Sequence, residues 1–151
     1  MHRVHTIGYE NTTVARFLDT LREAKVETVV DVRAVAGSRR PGFAKTNLAA
    51  SLSEAGITYL HLRGLGTPAD GRVAARAGRH EEMKAIFLAH MQTQAAQDDL
   101  PHLETVVEAG RSVCLLCLEA DSRHCHRSMV AAALAERIPI EIVHLRPDQT
   151  E

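Results

Sequence analysis

Arg111-Ser-Val-Cys-Leu-Leu-Cys-Leu118, running on into Glu119-Ala-Asp-Ser-Arg-His-Cys-His-Arg-Ser128, is the stretch whose reading decides the fold. Gly110 stops the helix that precedes it, and the apolar run then shows no alternation, as expected of a strand buried on both faces. Strands of that kind belong to parallel sheets covered by helices. Ser128 to Arg137 reads as a helix, so the corner at Cys117 to Ser128 joins a buried strand to a helix through a dense set of polar side chains.

The same alternation extends outward. Val4 to Ile7 reads as a short strand ending at Gly8; Asn11, Thr12 or Thr13 can then cap a helix with Val14, Phe17, Leu18 and Leu21 at helical spacing. Thr28 to Val30 is a β-branched run that delivers Asp31 and Arg33 at its end. A helix over Asn47 to Ala55 is closed by Gly56, and Ile57 to Leu62 forms a third strand ending in His61 and Arg63. Pro68 to His80 reads as a solvated loop or surface helix, Glu81 to Gln97 as a helix, and Pro101 as the start of another helix running to Ala109. Ile140 to Leu145 supplies a final strand. The expected fold is α/β: a single domain with a mostly parallel sheet flanked by helices, in a Rossmann-like three-layer architecture that binds ligands at the carboxyl ends of its strands.

Length and composition agree with this reading. A chain of 151 residues fits one domain over 1–151, with 147–151 as a short flexible tail. Hydrophobic residues make up 45% and aromatic residues only 3%, so Leu, Val, Ile and Ala must build the core. A net charge of -1 excludes a global attraction to nucleic acid, although local clustering of the 18 basic residues can still bind an anion. No apolar stretch is long enough to span a bilayer, and the N-terminal residues lack a signal-peptide core, so a cytoplasmic location and no membrane partner are expected. Three cysteines, clustered and odd in number, argue against a disulfide framework and for reduced thiols.

The chemistry gathers at strand ends. The entrance to the last helix offers unpaired N–H groups, to which Arg127 and a protonated His126 add donors for a phosphate or carboxylate; Ser128 lies in the same turn. That field also favours a Cys125 thiolate, which His124 or His126 can activate as a nucleophile. A phosphatase-like loop would place its arginine several residues beyond the cysteine, whereas Arg127 follows Cys125 almost directly. Cys117, Cys125 and His126 offer a metal set, but they lack the close cysteine pair of zinc signatures and a second pair to complete four ligands, so no metal is assigned. No organic cofactor motif is present. Asp31 and Arg33 project to the same side of one strand end and can pair, and His61 and Arg63 do likewise. The loop Ser38-Arg-Arg-Pro-Gly-Phe-Ala-Lys45 brings Arg39, Arg40 and Lys45 around one aromatic ring, as an anion clasp or a solvated basic loop.

Thr6-Ile-Gly-Tyr9, Asp31-Val-Arg33, Ser38-Arg-Arg-Pro-Gly-Phe43, His61-Leu-Arg-Gly-Leu-Gly66, Cys117-Leu-Glu119 and Cys125-His-Arg127, in this order, resemble the DUF488 family over most of the chain. The resemblance implies a compact α/β domain with a polar site near these motifs and carries no settled reaction. It falls on Tyr9, Asp31, Arg33, Ser38, His61, Arg63, Glu119, Cys125, His126 and Arg127. Ala34-Val-Ala36 departs from the family, in which a proline often follows the Asp-x-Arg element, and this bears on the shape of the next loop.

The leading expectation is an enzyme of hydrolase type. Asp31, Glu119, Cys125 and His126 are its catalytic candidates; Tyr9, Arg33, Ser38, Arg39, Arg40, Lys45, His61, Arg63, Arg127 and Ser128 are its substrate-binding candidates. The partner is an anionic small molecule or nucleic-acid-derived ligand, such as a phosphate-bearing nucleotide. Two other classes stand beside it: a non-catalytic nucleotide or nucleic-acid binding module using Ser38 to Lys45 and Arg72 to Arg79, and a thiol or metal protein built on Cys117, Cys125 and His126.

Overall fold

The apolar run Val113–Cys117 is a strand with every residue buried, and it lies at the centre of the sheet. The computed structural model describes residues 1–147. In chain order these form β1 (His2–Gly8), α1 (Val14–Glu23), β2 (Thr28–Asp31), α2 (Lys45–Glu54), β3 (Thr58–His61), α3 (Ala69–Arg76), α4 (His80–His90), α5 (Gln94–Glu108), β4 (Val113–Cys117), α6 (His126–Ala135) and β5 (Ile140–Leu145). Single 3-10 turns occupy Arg63–Leu65 and Ser122–His124. The tail expected over 147–151 falls, apart from the buried Pro147, outside the described residues.

All five strands are parallel, in the order β3-β2-β4-β1-β5, the α/β three-layer arrangement that the sequence predicts. Strand alternation divides the core in two. Ile7, Val29, Cys114 and Leu116 face Phe17 and Leu21 of α1 and Leu48 and Leu52 of α2. Val4, Val30, Val113 and Leu115 face the layer that holds Phe87 of α4, Leu103 of α5 and Val130 and Leu134 of α6. Because β4 is inserted between β1 and β2, the carboxyl ends of these three strands adjoin, and loops of different origin meet there. No helix among the described residues is long and apolar enough to cross a membrane.

Three local expectations are corrected. Pro101 does not start a helix: it lies inside α5, which begins after Thr93, whose hydroxyl accepts from the Ala96 amide. The helical stretch over Glu81 to Gln97 is accordingly two helices, with the break at Met91–Thr93. A side-chain cap thus fixed the boundary, whereas the rule that favours proline in the first turn misplaced it. Pro68 to His80, read as a solvated loop or a surface helix, takes the helical alternative. It contains α3, which buries Gly71 and Ala74; a Cβ added at Gly71 would stand 3.1 Å from Ile86 Cγ2 of α4, so the missing side chain lets the two helices approach. The last helix also starts two residues earlier than expected, at His126.

Gly8 ends β1 against the segment leaving β4, where Tyr9 N donates to Cys117 O (3.2 Å) and Glu10 N to Leu118 O (2.8 Å). A Cβ at Gly8 would collide with the Glu119 carbonyl. Gly8→Ala is therefore expected to cost about 3 kcal/mol or more, read as a lowered urea midpoint. His5, 5% exposed in β1 with Nδ1 unpartnered among the described residues, is held below its ordinary value by burial. The unfolded chain then binds this proton first, so stability falls as pH drops below about 6.5, the unfolded histidine value. Urea unfolding at pH 7.5 and 5.5 is expected to show a shallower acid loss in His5→Leu than in the native chain.

Candidate functional site

Beyond β4 the backbone turns through Leu118–Ala120, and the Asp121 carboxylate accepts from Arg123 N (2.9 Å) to start the 3-10 turn Ser122–His124. Cys125 is extended, with φ -126 and ψ 142, and α6 begins at the next residue. Arg127 points back beneath the corner and is completely buried. Its Nε donates to Thr6 Oγ1 (3.1 Å), Nη2 to Ala120 O (3.2 Å), and Nη1 to Glu119 O and toward Cys117 Sγ (3.5 Å). Ser128 Oγ lies 2.8 Å from Ser122 O and 2.9 Å from Cys125 O. The anion site expected at His126 and Arg127 does not form: the guanidinium is spent on the Glu119 and Ala120 carbonyls of the tight corner, and Ser128 fastens the same turn.

Asp31 and Arg33 do pair, and they are sealed in. Asp31 Oδ1 accepts from Arg33 N (3.0 Å) and Nε (2.9 Å); Oδ2 accepts from Arg33 Nη2 (2.7 Å) and the Tyr59 hydroxyl (2.5 Å). Arg33 Nη1 donates to Phe43 O (2.8 Å) and the Tyr9 hydroxyl (3.4 Å), and the Tyr9 ring stacks on Phe43. A carboxylate with no exposed surface and four donors has no lone pair available for a substrate proton, so the catalytic expectation for Asp31 is replaced by a positioning role.

A cavity of about 230 Å3 opens at the carboxyl ends of β1, β2 and β4. Tyr9, Arg33 and Cys117–Glu119 line it from the sheet side, Arg72 and Arg76 from α3, Met83 from α4, and His124 and His126 from the corner. Arg72 Nη1 donates to Thr67 O (2.9 Å), whereas the Arg76 guanidinium has no partner among the described residues. Glu119 is half-buried, and burial raises its carboxyl above the ordinary value against the opposing pull of Arg127. His124 stacks flat on His80, with ring centroids 4.0 Å apart, which ties the corner to the start of α4.

The other candidates lie elsewhere. Lys45, His61 and Arg63 line a second, shallower depression across the Ala34–Gly37 loop. His61 Nε2 bonds Arg33 O (2.6 Å) and so holds that loop. Arg40 N donates to Ser38 Oγ (3.2 Å) and Arg40 Nη2 to Thr12 O (2.7 Å), while Arg39 is exposed; these three residues line neither depression. Most of the motif residues thus divide between the two sides of residues 34–37, with Ser38, Arg39 and Arg40 on neither.

The expectation of independent thiols is also corrected: Cys117 and Cys125 are placed as a disulfide pair, with Cα atoms 7.4 Å apart. The corner itself folds them together, since the turn after β4 returns the chain to the strand's end at the entrance of α6. His126 lies against Cys125, with Nδ1 3.9 Å from Sγ and Nε2 2.6 Å from Val32 O. A carbonyl only accepts, so Nε2 carries the proton and Nδ1 keeps its lone pair. Burial pushes this imidazole down to about 4. Cys114 is fully buried in β4, and burial raises its thiol, in keeping with a packing role.

Residues 13–134 match a family model described as "Domain of unknown function DUF488". The chain belongs to the DUF488 family. No curated protein and no solved structure matches it. Within this DUF488 chain, the motif order read from sequence thus marks the family, and the cavity adds what motifs did not single out: Thr67 and Met83, and a direct place for Arg72 and Arg76. The last two lie four residues apart, so they share a helix face once that stretch is read as helix.

The sealed ion pair generates a test. Arg33→Met leaves Asp31 buried without its partner and is expected to cost about 3–5 kcal/mol in chemical unfolding; a loss below about 1 kcal/mol would contradict the network described.

Proposed function

We propose that this DUF488 chain is an enzyme that hydrolyses a small phosphate-bearing substrate derived from a nucleotide or nucleic acid. The observation that carries the reading is the meeting of Glu119 with Arg72 and Arg76 in one small cavity at the end of the central strand. Arg76, without a protein partner among the described residues, and Arg72 beside it hold the phosphate. The Glu119 carboxylate takes a proton from the attacking water and returns it to the leaving group. Met83 and Leu118 supply apolar contact for a base or sugar. Asp31 and Arg33 do not react; they fix the wall against which the substrate sits.

A cavity of about 230 Å3 is smaller than the roughly 300–1,000 Å3 of most drug-sized sites, which favours a single phosphate-bearing unit over a polymer. The nucleic-acid binding module draws less support, because Arg40 is bound to the Thr12 carbonyl and Arg79 pairs with Glu82 (2.5 Å). Cytoplasmic nucleotides are the substrates that suit this site.

The protein is incubated with a panel of nucleoside phosphates, sugar phosphates and short oligonucleotides, with products followed by mass spectrometry. Turnover of a monomeric phosphate compound is expected. Glu119→Gln should lose about 100-fold or more in rate while still binding the compound, since general acid–base catalysis typically supplies at least that factor; Arg76→Ala should weaken binding instead. Oligonucleotide binding that grows with length, falls steeply with salt and yields no product would replace the enzyme by a binding module.

A further inference from the structure

Cys117 Sγ, Cys125 Sγ and a ring nitrogen of His126 lie within 4.8 Å of one another, and all three residues are buried. We infer that, in the reduced form in which the Cys117–Cys125 bond is open, these residues form a zinc site whose fourth position opens into the cavity beside Glu119. Two thiolates and an imidazole are borderline-soft donors that suit Zn2+, and the two sulfur charges balance the ion.

Three features of the corner support this assignment. The first is the orientation of His126: with Nε2–H held by the Val32 carbonyl, Nδ1 presents its lone pair on the side of Cys125 Sγ. A zinc-bound histidine is commonly fixed in this way, by a hydrogen bond from its other ring nitrogen to a carbonyl or carboxylate. The second is the backbone. The Cα atoms of Cys117 and Cys125 are 7.4 Å apart, whereas disulfides usually span about 4.4–6.8 Å. Two sulfurs each about 2.3 Å from one tetrahedral ion stand about 3.8 Å apart, which requires just such a wider separation. The third is the outer shell. Arg127 Nη1 lies 3.5 Å from Cys117 Sγ and supplies a buried cation to a thiolate.

Cys117 and His126 both line the cavity, so an ion held between them faces the space that Arg72 and Arg76 share. Glu119 Oε2 is 3.5 Å from Cys117 Sγ, within one water of a metal bound there. Three protein ligands and an open position are the pattern of catalytic rather than structural zinc. A low-molecular-weight thiol first reduces the Cys117–Cys125 pair, giving up two electrons and two protons and becoming a disulfide itself; ion binding then converts the two thiols to thiolates and releases two protons to solvent. The site stands independently of the hydrolytic reading, since an ion can bind here whether or not a substrate is turned over.

The test begins with untagged protein, reduced by a phosphine under nitrogen and freed of metal, then titrated with Co2+ and with Zn2+ against a chromophoric chelator. One equivalent is expected, with thiolate-to-cobalt charge-transfer absorption and the intense visible bands of a tetrahedral site. Cys125→Ser should lower zinc affinity by about 100-fold or more, beyond the 10–100-fold typical of losing an outer-shell partner, and Cys114→Ser should leave it unchanged. Reduced native protein that takes up no cobalt, or takes it up without the thiolate band, overturns the site whatever the variants do. Zinc affinity unaltered in Cys125→Ser has the same consequence. Where the reduced protein fails to bind the ion yet still hydrolyses substrate, the zinc site falls and the Glu119 enzyme stands.

Discussion

The guanidinium of Arg127 has no exposed surface and reaches Thr6 in β1, Cys117 at the end of β4, and the carbonyls of Glu119 and Ala120. A buried charge is tolerable only when its donors are paired, and here two of the partners are carbonyls of the sharp corner, those of Glu119 and Ala120. The interaction therefore works in both directions: the corner solvates the arginine, and the arginine shapes the corner. Glu119 faces the cavity because its own carbonyl is held from behind, and Cys117 and Cys125 meet because the chain is returned to the strand end that it left.

A second buried cation governs the other wall. Arg33 is chelated by Asp31 and bound to Phe43 O, with Tyr9 across it. The outcome is a division of labour among arginines that looks uniform in the sequence: Arg33 and Arg127 are structural donors, and Arg72 and Arg76 hold the positions that face open space. Burial decides which role each plays, because a guanidinium saturated by carbonyls and carboxylates has nothing left to offer an anion.

The sheet was legible because its signal is local. An uninterrupted apolar run at β4, β-branched residues at Thr28 to Val30 and apolar periodicity in α1 each report their own environment. Asp31, Arg33 and Glu119 were likewise placed at strand ends by sequence alone. What could not be read was direction and partnership. Whether Arg127 points into an anion site or under the corner depends on Thr6, more than a hundred residues away, and whether Cys117 meets Cys125 depends on how tightly residues 118–124 turn. Pro101 misled for a related reason: a residue that suits a first helical turn also occurs within α5, whose start is set by the Thr93 side chain.

The position of β1 has a consequence for assembly in time. This strand precedes the other four in chain order, yet it sits between β4 and β5, and Val4 pairs with Val113 on one side and Ile142 on the other. During synthesis it has no neighbour until β4 (Val113–Cys117) has emerged, while β2 and β3, which pair with each other, can zip much earlier. A sheet closed by its most distant contacts forms slowly, because chain closure must precede the pairing that rewards it. The same late step brings β1 and β4 together and with them Thr6 and Arg127, so the corner takes its working shape only once β4 and α6 are in reach of β1.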